Sequence, residues 1–546
     1  MPLNLSFLFT FVFYLILYII IMSSMKKILI LGLILRGCIA LAQKADPAPF
    51  ANMITTDELR SHLAVLTSDS LEGRETGTEG NLKAAKYIAE CFEKLGLPKV
   101  GEDKSYFQRM VYTNEGWNTI AMQVNGLSFK HQYNFYALPG ANPSVLGNSI
   151  KADEVVFLGY GIDDARYSDY KKANVKGKII LIYQGEPMKN DSISLITKTK
   201  DRSSWSVDWR RKLRVAYAKG VKTVLIIDPA IALSIQENRR YFSRNITGDV
   251  EKVEGQFANN IYISTEIAYA LIGEKGSAIK KARERIEKGK TPKPVTLPCR
   301  LEIDMNKYFR QMTGYNVLGF IEGSDPILKK EIVVVSAHYD HLGKRGESIY
   351  RGADDNGSGT STVLEITQAM VEAKKKGLGP KRSVLCMLMT GEEKGLLGSK
   401  YYVTFPVFPL ENTVADVNID MIGRVDEKYK DNPNYIYVIG ADKLSTDLHK
   451  VNEEMNNTYT NLTLDYTYND ENDPNRYYYR SDHYNFAERG IPAIFYFNGT
   501  HSDYHMTTDT IDKINFEKMA KIAKLAFYTA WEIANREERL RIDKKG

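Results

Sequence analysis

Glu331-Ile332-Val333-Val334-Val335-Ser336-Ala337-His338-Tyr339-Asp340 is the stretch whose reading decides the fold. From Ile332 to Ala337 the run is apolar and β-branched, without the polar alternation of a half-solvated strand. A short run of this kind reads as a strand buried on both faces, the habit of parallel sheets. His338 follows where the strand should end. Three further runs have the same form. Ser383 to Thr390 ends at Gly391-Glu392-Glu393, Val414 to Ile419 ends at Asp420, and Ala493 to Phe497 leads within a few residues to His501 and His505. Segments of helical period, Gly359 to Lys375 and Phe516 to Arg536, alternate with these strands. Strand-helix alternation predicts an α/β fold in three layers, a mostly parallel central sheet covered by helices on both faces. Open sheets of this class hold their ligands beyond the carboxyl ends of the strands. Here those ends carry imidazoles and carboxylates.

The chemistry of that set is specific. Zinc takes nitrogen and oxygen ligands, and a catalytic zinc keeps one position for water. Two ions sharing a carboxylate can activate water and polarise a carbonyl together. Asp340, two residues after His338, can accept the ring N–H that a metal-bound histidine turns away from its ion. In Gly352-Ala353-Asp354-Asp355-Asn356-Gly357-Ser358-Gly359 the small residues let the backbone turn tightly, so that an aspartate can reach between two cations. Of the adjacent glutamates, one can ligate metal while the other moves a proton, a role that suits a carboxyl whose pKa is raised by its neighbours. Taken singly, an Asp-Asn-Gly turn is a turn and a Glu-Glu pair is a surface feature. Their joint occurrence in this order points to a metal centre.

With Thr390-Gly391-Glu392-Glu393-Lys394-Gly395-Leu396-Leu397-Gly398-Ser399, Asn418-Ile419-Asp420-Met421-Ile422-Gly423 and Tyr504-His505-Met506-Thr507-Thr508-Asp509-Thr510 added, the set resembles the M28 family of di-zinc peptidases over about residues 50–535. The resemblance implies two Zn2+ per chain. His338, Asp355 and Asp420 would serve one ion, and Asp355, Glu393 and His505 the other, with Asp355 as the bridge. It implies Glu392 as general base, Asp340 as the partner of His338, and Tyr504 as a hydroxyl that steadies the tetrahedral intermediate. Met506-Thr507 departs from the commoner Thr-Pro, which changes a loop and no ligand. The expected activity is exopeptidase cleavage of peptides, foremost as an aminopeptidase. A carboxypeptidase or dipeptidase on the same scaffold is the alternative, and so is a binding protein that keeps the fold. Arg480 or Arg424 could hold a substrate carboxylate. His341, His483 and His501 are read as lying outside the ligand set.

A chain of 546 residues exceeds one compact domain. The expected division is a leader region 1–42, a catalytic domain in two parts, 50–134 and 299–536, and an insertion at 135–298. Gly159-Tyr160-Gly161 and Val175-Lys176-Gly177-Lys178-Ile179 make the insertion resemble a smaller β-rich protease-associated (PA) domain. Glu284 to Pro298, charged and marked by prolines, reads as the return linker. Ahead of it, Thr55 to Leu66 and Asn81 to Leu95 read as helices, with the polar Glu72-Gly73-Arg74 segment, similar to one in members of the resembled family, either a turn between them or a part of the site. Asp465 to Arg480 reads as a long polar loop at the mouth of the site.

Met25-Lys26-Lys27, the apolar run to Leu35 and Ala40-Leu41-Ala42 read as a secretory leader cut after Ala42, with residues 1–24 an over-extended start. The product would be exported, periplasmic or secreted. The alternatives are an anchor at Leu5 to Ile21 or lipidation at Cys38. Without residues 1–42, whose charged members are Lys26, Lys27 and Arg36, the formal charge of +6 falls to +3. That leaves no case for nucleic-acid binding, and the expected partners are peptide substrates. Cys91, Cys299 and Cys386 form no disulfide framework.

Overall fold

The computed structural model describes residues 46–142, 148–189, 192–238, 242, 245–248, 256–290 and 293–544, so the readings of the leader, of the anchor and of Cys38 lie outside it. Ile332–His338 is the middle of a parallel stack, paired on one side with Ser383–Met389 and on the other with Thr413–Ile419, which pairs in turn with Ala493–Phe497. All seven residues of the His338 strand are buried. The alternation of a strand divides them between two layers. Val333, Val335 and Ala337 pack under the helices Thr56–Leu66, Glu79–Lys94, Gly359–Lys375 and Phe516–Asn535. Ile332 and Val334 meet Tyr402 and Phe486, from the helices Leu397–Thr404 and His483–Glu488, on the opposite face. Antiparallel strands flank the stack, Val295–Ile321 beside Ser383–Met389 and Tyr435–Ile439 beside Ala493–Phe497.

Local signals set the helix starts. The Thr55 hydroxyl accepts the Glu58 N–H and caps the first helix. Thr78 accepts the Asn81 N–H, so the second helix begins at Glu79, two residues before the start expected at Asn81.

A second unit lies at the far end of a two-stranded ribbon. Phe107–Val124 and Val295–Ile321 run antiparallel from Phe107 opposite Val317 to Val124 opposite Leu301, with an irregularity at Trp117/Thr119. At that end Asn148–Phe157, Ile179–Tyr183, Thr223–Ile227 and Asn259–Ile263 lie side by side in parallel, with the helices Trp209–Ala218, Thr265–Ile272 and Gly276–Glu287. Met122, Val124, Leu301, Ile303 and Met305 already belong to this second core. The packing therefore changes over inside the ribbon, and not at 134/135 or 298/299, because an uninterrupted strand shows no shift in composition where it passes from one core to the next. The linker expected at Glu284 to Pro298 is also corrected. Glu284 to Glu287 is the last turn of a helix, and Val295 to Pro298 pairs with Phe157 to Glu154. Among the described residues no helix is long and apolar enough to cross a membrane.

Candidate metal centre

The strand ends converge as the topology requires. His338 Nε2 lies 3.3 Å from Asp420 Oδ1, 3.5 Å from Asp355 Oδ1 and 3.9 Å from Glu392 Oε2. His505 Nε2 lies 3.0 Å from Asp355 Oδ2 and 3.3 Å from Glu393 Oε2. The two oxygens of Asp355 thus face two different imidazoles. Its neighbour Asp354 faces away, accepting the Gly423 N–H at 2.6 Å and lying 3.2 Å from His501 Nε2. The Asp509 carboxylate accepts the main-chain N–H groups of both Asp354 and Asp355 and fixes the turn. The Asp355–Asn356 peptide bond is cis. Gly352 has φ +53°, and a Cβ there would lie 2.1 Å from Asp355 O and 2.5 Å from the His341 ring, so the turn has no room for a side chain.

Asp340 supports this arrangement in a way the sequence reading gets only half right. His338 Nδ1 is 3.1 Å from the main-chain oxygen of Asp340 and 3.6 Å from its carboxylate. The carboxylate itself accepts from Thr76 Oγ1 at 2.7 Å and from the Glu392 N–H at 3.3 Å. It therefore ties the base candidate to the His338 loop. Asp420 is held from behind by Ser481 Oγ at 2.7 Å.

Acids this close perturb one another. Burial pushes the Glu392 carboxyl well above the usual range, reinforced by Glu393 and Asp420 and opposed by His338. Burial acts upward on Glu393 as well, but His505 and His341 hold that carboxyl well below its ordinary value. Burial would lower His505, yet Glu393 and Asp355 carry it up to about 11. Buried carboxylates at this density need compensating positive charge. The donors fall into two groups, His338 with Glu392 and Asp420, and His341 with Asp355 and Glu393, each with its ligand atoms within 4.8 Å of one another. Imidazole nitrogens and carboxylate oxygens at this spacing suit divalent zinc.

Beside the donors is a cavity of about 40 Å³, walled by Met421, Tyr477, Phe495 and Phe497 and bordered by Tyr504 and Arg480. Tyr504 stacks on His505 with ring centroids 3.9 Å apart, and its hydroxyl accepts from Arg480 Nη2 at 3.3 Å. Tyr477 and Arg480 place the Asp465 to Arg480 segment at the site, although it is built of short turns and not one long loop. Wider cavities of about 530 and 800 Å³ lie by Tyr160, Tyr183 and Arg283 in the second unit. No donor group converges there among the described residues.

The structure also brings in His341, which the sequence reading set aside. It is fully buried, and its Nδ1 is 2.9 Å from Glu393 Oε1. The one signal in the sequence was its place in the same strand-end loop as His338. His483 stays outside, stacked on Phe495 and pushed down to about 3 by burial, and His501 pairs with Asp354.

Comparison with known proteins agrees with this geometry. Residues 316–530 match the model of peptidase family M28. A probable leucine aminopeptidase of Trichophyton verrucosum is 32% identical over 215 residues, which are 38% of this chain and 56% of that protein. The match thus spans little more than half the length of that relative. Aminopeptidase YwaD of Bacillus subtilis is 23% identical over 544 residues, covering 96% of this chain and 97% of that one. Among solved structures, an aminopeptidase from Aneurinibacillus sp. strain AM-1 shares the fold, with a TM-score of 0.53 at 18% identity over 92% of this chain and 99% of that chain.

Proposed function

We propose that this chain, whose residues 316–530 match the model of peptidase family M28, is an aminopeptidase holding two zinc ions. The observation that carries the proposal is the placing of Asp355, one oxygen toward His338 and the other toward His505. His338 and Asp420 would hold one ion and Glu393 and His505 the other, with Asp355 shared. His341 is placed to donate to Glu393. When bound, the ions would supply an activated water and a polarised scissile carbonyl.

The chain's own groups do the rest. Glu392 borders the cavity and takes the proton from the attacking water, then gives it to the departing amine. Its raised pKa suits both transfers. Tyr504, on the same cavity and hydrogen-bonded by Arg480, donates to the developing oxyanion. The excess of carboxylates around the cavity favours a substrate that enters with its ammonium end and repels one that enters with its carboxylate. The aromatic wall of Tyr477, Phe495 and Phe497 favours an apolar first side chain. The leader-like segment supports export of the protein.

A panel of aminoacyl-p-nitroanilides tests this, each compared with its N-acetyl derivative and with a chelator control. Release from the free amines alone, abolished by chelator, is the expected result. Equal release from the acetylated series would overturn the aminopeptidase reading. Arg480 is the observation that favours a carboxypeptidase as the second reading. Cleavage restricted to peptides with a free carboxylate would establish it.

A further inference from the structure

We infer that Arg74 is a positioning residue that sets the spacing of the two metal-binding loops and supplies them with a fixed buried cation; this rests on the two-metal reading above. Arg74 is far from the other site residues in sequence and is fully buried. Its guanidinium reaches three separate segments. Nε donates to Tyr339 O at 2.8 Å, Nη1 donates to Arg351 O at 2.8 Å and to Leu66 O, and Nη2 donates to Gly352 O at 2.9 Å. Tyr339 stands between His338 and Asp340. Arg351 and Gly352 open the turn that presents Asp355. One planar fork therefore sets the distance between the end of the His338 strand and the shared carboxylate. The main chain of Arg74 joins in, because its carbonyl accepts from the His341 N–H at 3.3 Å and from Asn81 Nδ2 at 3.1 Å.

The local backbone is contorted to make this reach. Glu72, Gly73 and Arg74 are successive left-handed residues, with φ of 47°, 69° and 53°. Two of them carry side chains that disfavour that region. At Gly73 a Cβ would lie 2.3 Å from Tyr350 O and 2.6 Å from Gly343 O. A simple turn between two helices needs neither this strain nor a buried charge. All four acceptors are neutral carbonyls, and the negative charges that Arg74 feels are those of Asp340, Asp355, Asp509 and Glu393. Burial lowers the guanidinium to about 10, so it keeps its proton at neutral pH. The cation is thus among the acids before an ion arrives. Lysine could supply the charge but not the fork, since its single ammonium cannot reach the four carbonyls that the guanidinium nitrogens span.

The test is zinc titration of the full chain, by competition with a chromogenic chelator, for wild type, Arg74→Lys and Arg74→Gly. Arg74→Lys keeps charge and bulk and so guards against loss of the fold, checked by its circular dichroism. The expected results are a loss of zinc affinity of about tenfold or more in both variants, a fall in kcat with KM little changed, and partial recovery of affinity in Arg74→Gly when guanidinium ion is added at low concentration. Wild-type zinc affinity in Arg74→Lys would overturn the inference while leaving the two-metal reading intact. Failure of the wild type to bind zinc would overturn both.

Discussion

Replacing Glu392 with glutamine is expected to cripple turnover and, in the metal-free protein, to raise stability. Glu392 and Asp420 offer oxygens within 4.8 Å of each other. Two unit charges at that distance repel by about 3 kcal/mol at an effective dielectric of 20. The titration of Glu392 has the same sign. Its carboxyl is raised well above the ordinary value near 4.5, by burial first and then by Glu393 and Asp420. A carboxyl raised by folding destabilises the native state progressively as pH climbs above the unfolded value. That cost accumulates at roughly 1.4 kcal/mol per pH unit for as long as the folded carboxyl stays protonated. The side chain is only 12% exposed, so solvent screens little of this. Glutamine keeps the shape and removes the charge. With an unfolding entropy of about 2 cal/mol/K per residue, 3 kcal/mol corresponds to a rise of about 3 °C in Tm for a chain of this size. Calorimetry in chelator should show variant and wild type nearly equal at pH 5 and separated by about 3 °C at pH 7. Peptide turnover with metal restored should fall roughly 10²- to 10⁴-fold. A Tm unchanged or lowered at pH 7, or a rate within tenfold of wild type, would refute the reasoning.

Asp355→Ala should abolish activity and reduce bound zinc from two ions to at most one, read by elemental analysis after dialysis. Gly352→Ala places a Cβ against Asp355 O and the His341 ring at a positive φ. It is expected to cost about 2 kcal/mol or more and to weaken zinc binding, measured by thermal unfolding with and without metal. His62 should make stability pH-dependent far from the site. Burial works against its charge, but contacts with Cys91 and Glu365 prevail and push the imidazole up to about 9. That stability is fully present below pH 6.5 and is lost as pH rises through 9. His62→Gln should therefore destabilise by about 3 kcal/mol at pH 6 and by little at pH 9.5, as read by urea unfolding.

The parallel stack was legible because Ile332 to Ala337 and its three companions are buried on both faces, which leaves an unbroken apolar run in the sequence. The donors were legible because such strands present their ligands at the carboxyl ends. The first helix was legible to within a residue, since the Thr55 hydroxyl ahead of its stripe has a local cause, whereas the Thr78 cap was missed and the second helix was started late, at Asn81. Features set by distant segments were hidden. Phe107–Val124 and Val295–Ile321 cross from one core to another without a change of pattern, so the unit boundaries were misplaced by several residues. The accepting oxygen beside His338 Nδ1 depends on how Thr76 and Glu392 occupy the Asp340 carboxylate, and neither lies near it in sequence. His341 looked like any loop histidine until Glu393 was folded against it. Glu72-Gly73-Arg74 read as a turn as readily as a part of the site, because nothing local announces an arginine three of whose four carbonyl partners lie 265 residues away or farther.

The central claim is that Asp355 sits between two metal ions, and anomalous diffraction at the zinc edge from crystals of the zinc-loaded protein tests it most directly. The account predicts two peaks in the catalytic unit, about 3.5 to 4 Å apart, one toward His338 and Asp420, the other toward His505 and Glu393, with the Asp355 carboxylate between them. A single peak, or two peaks without Asp355 between them, would contradict it.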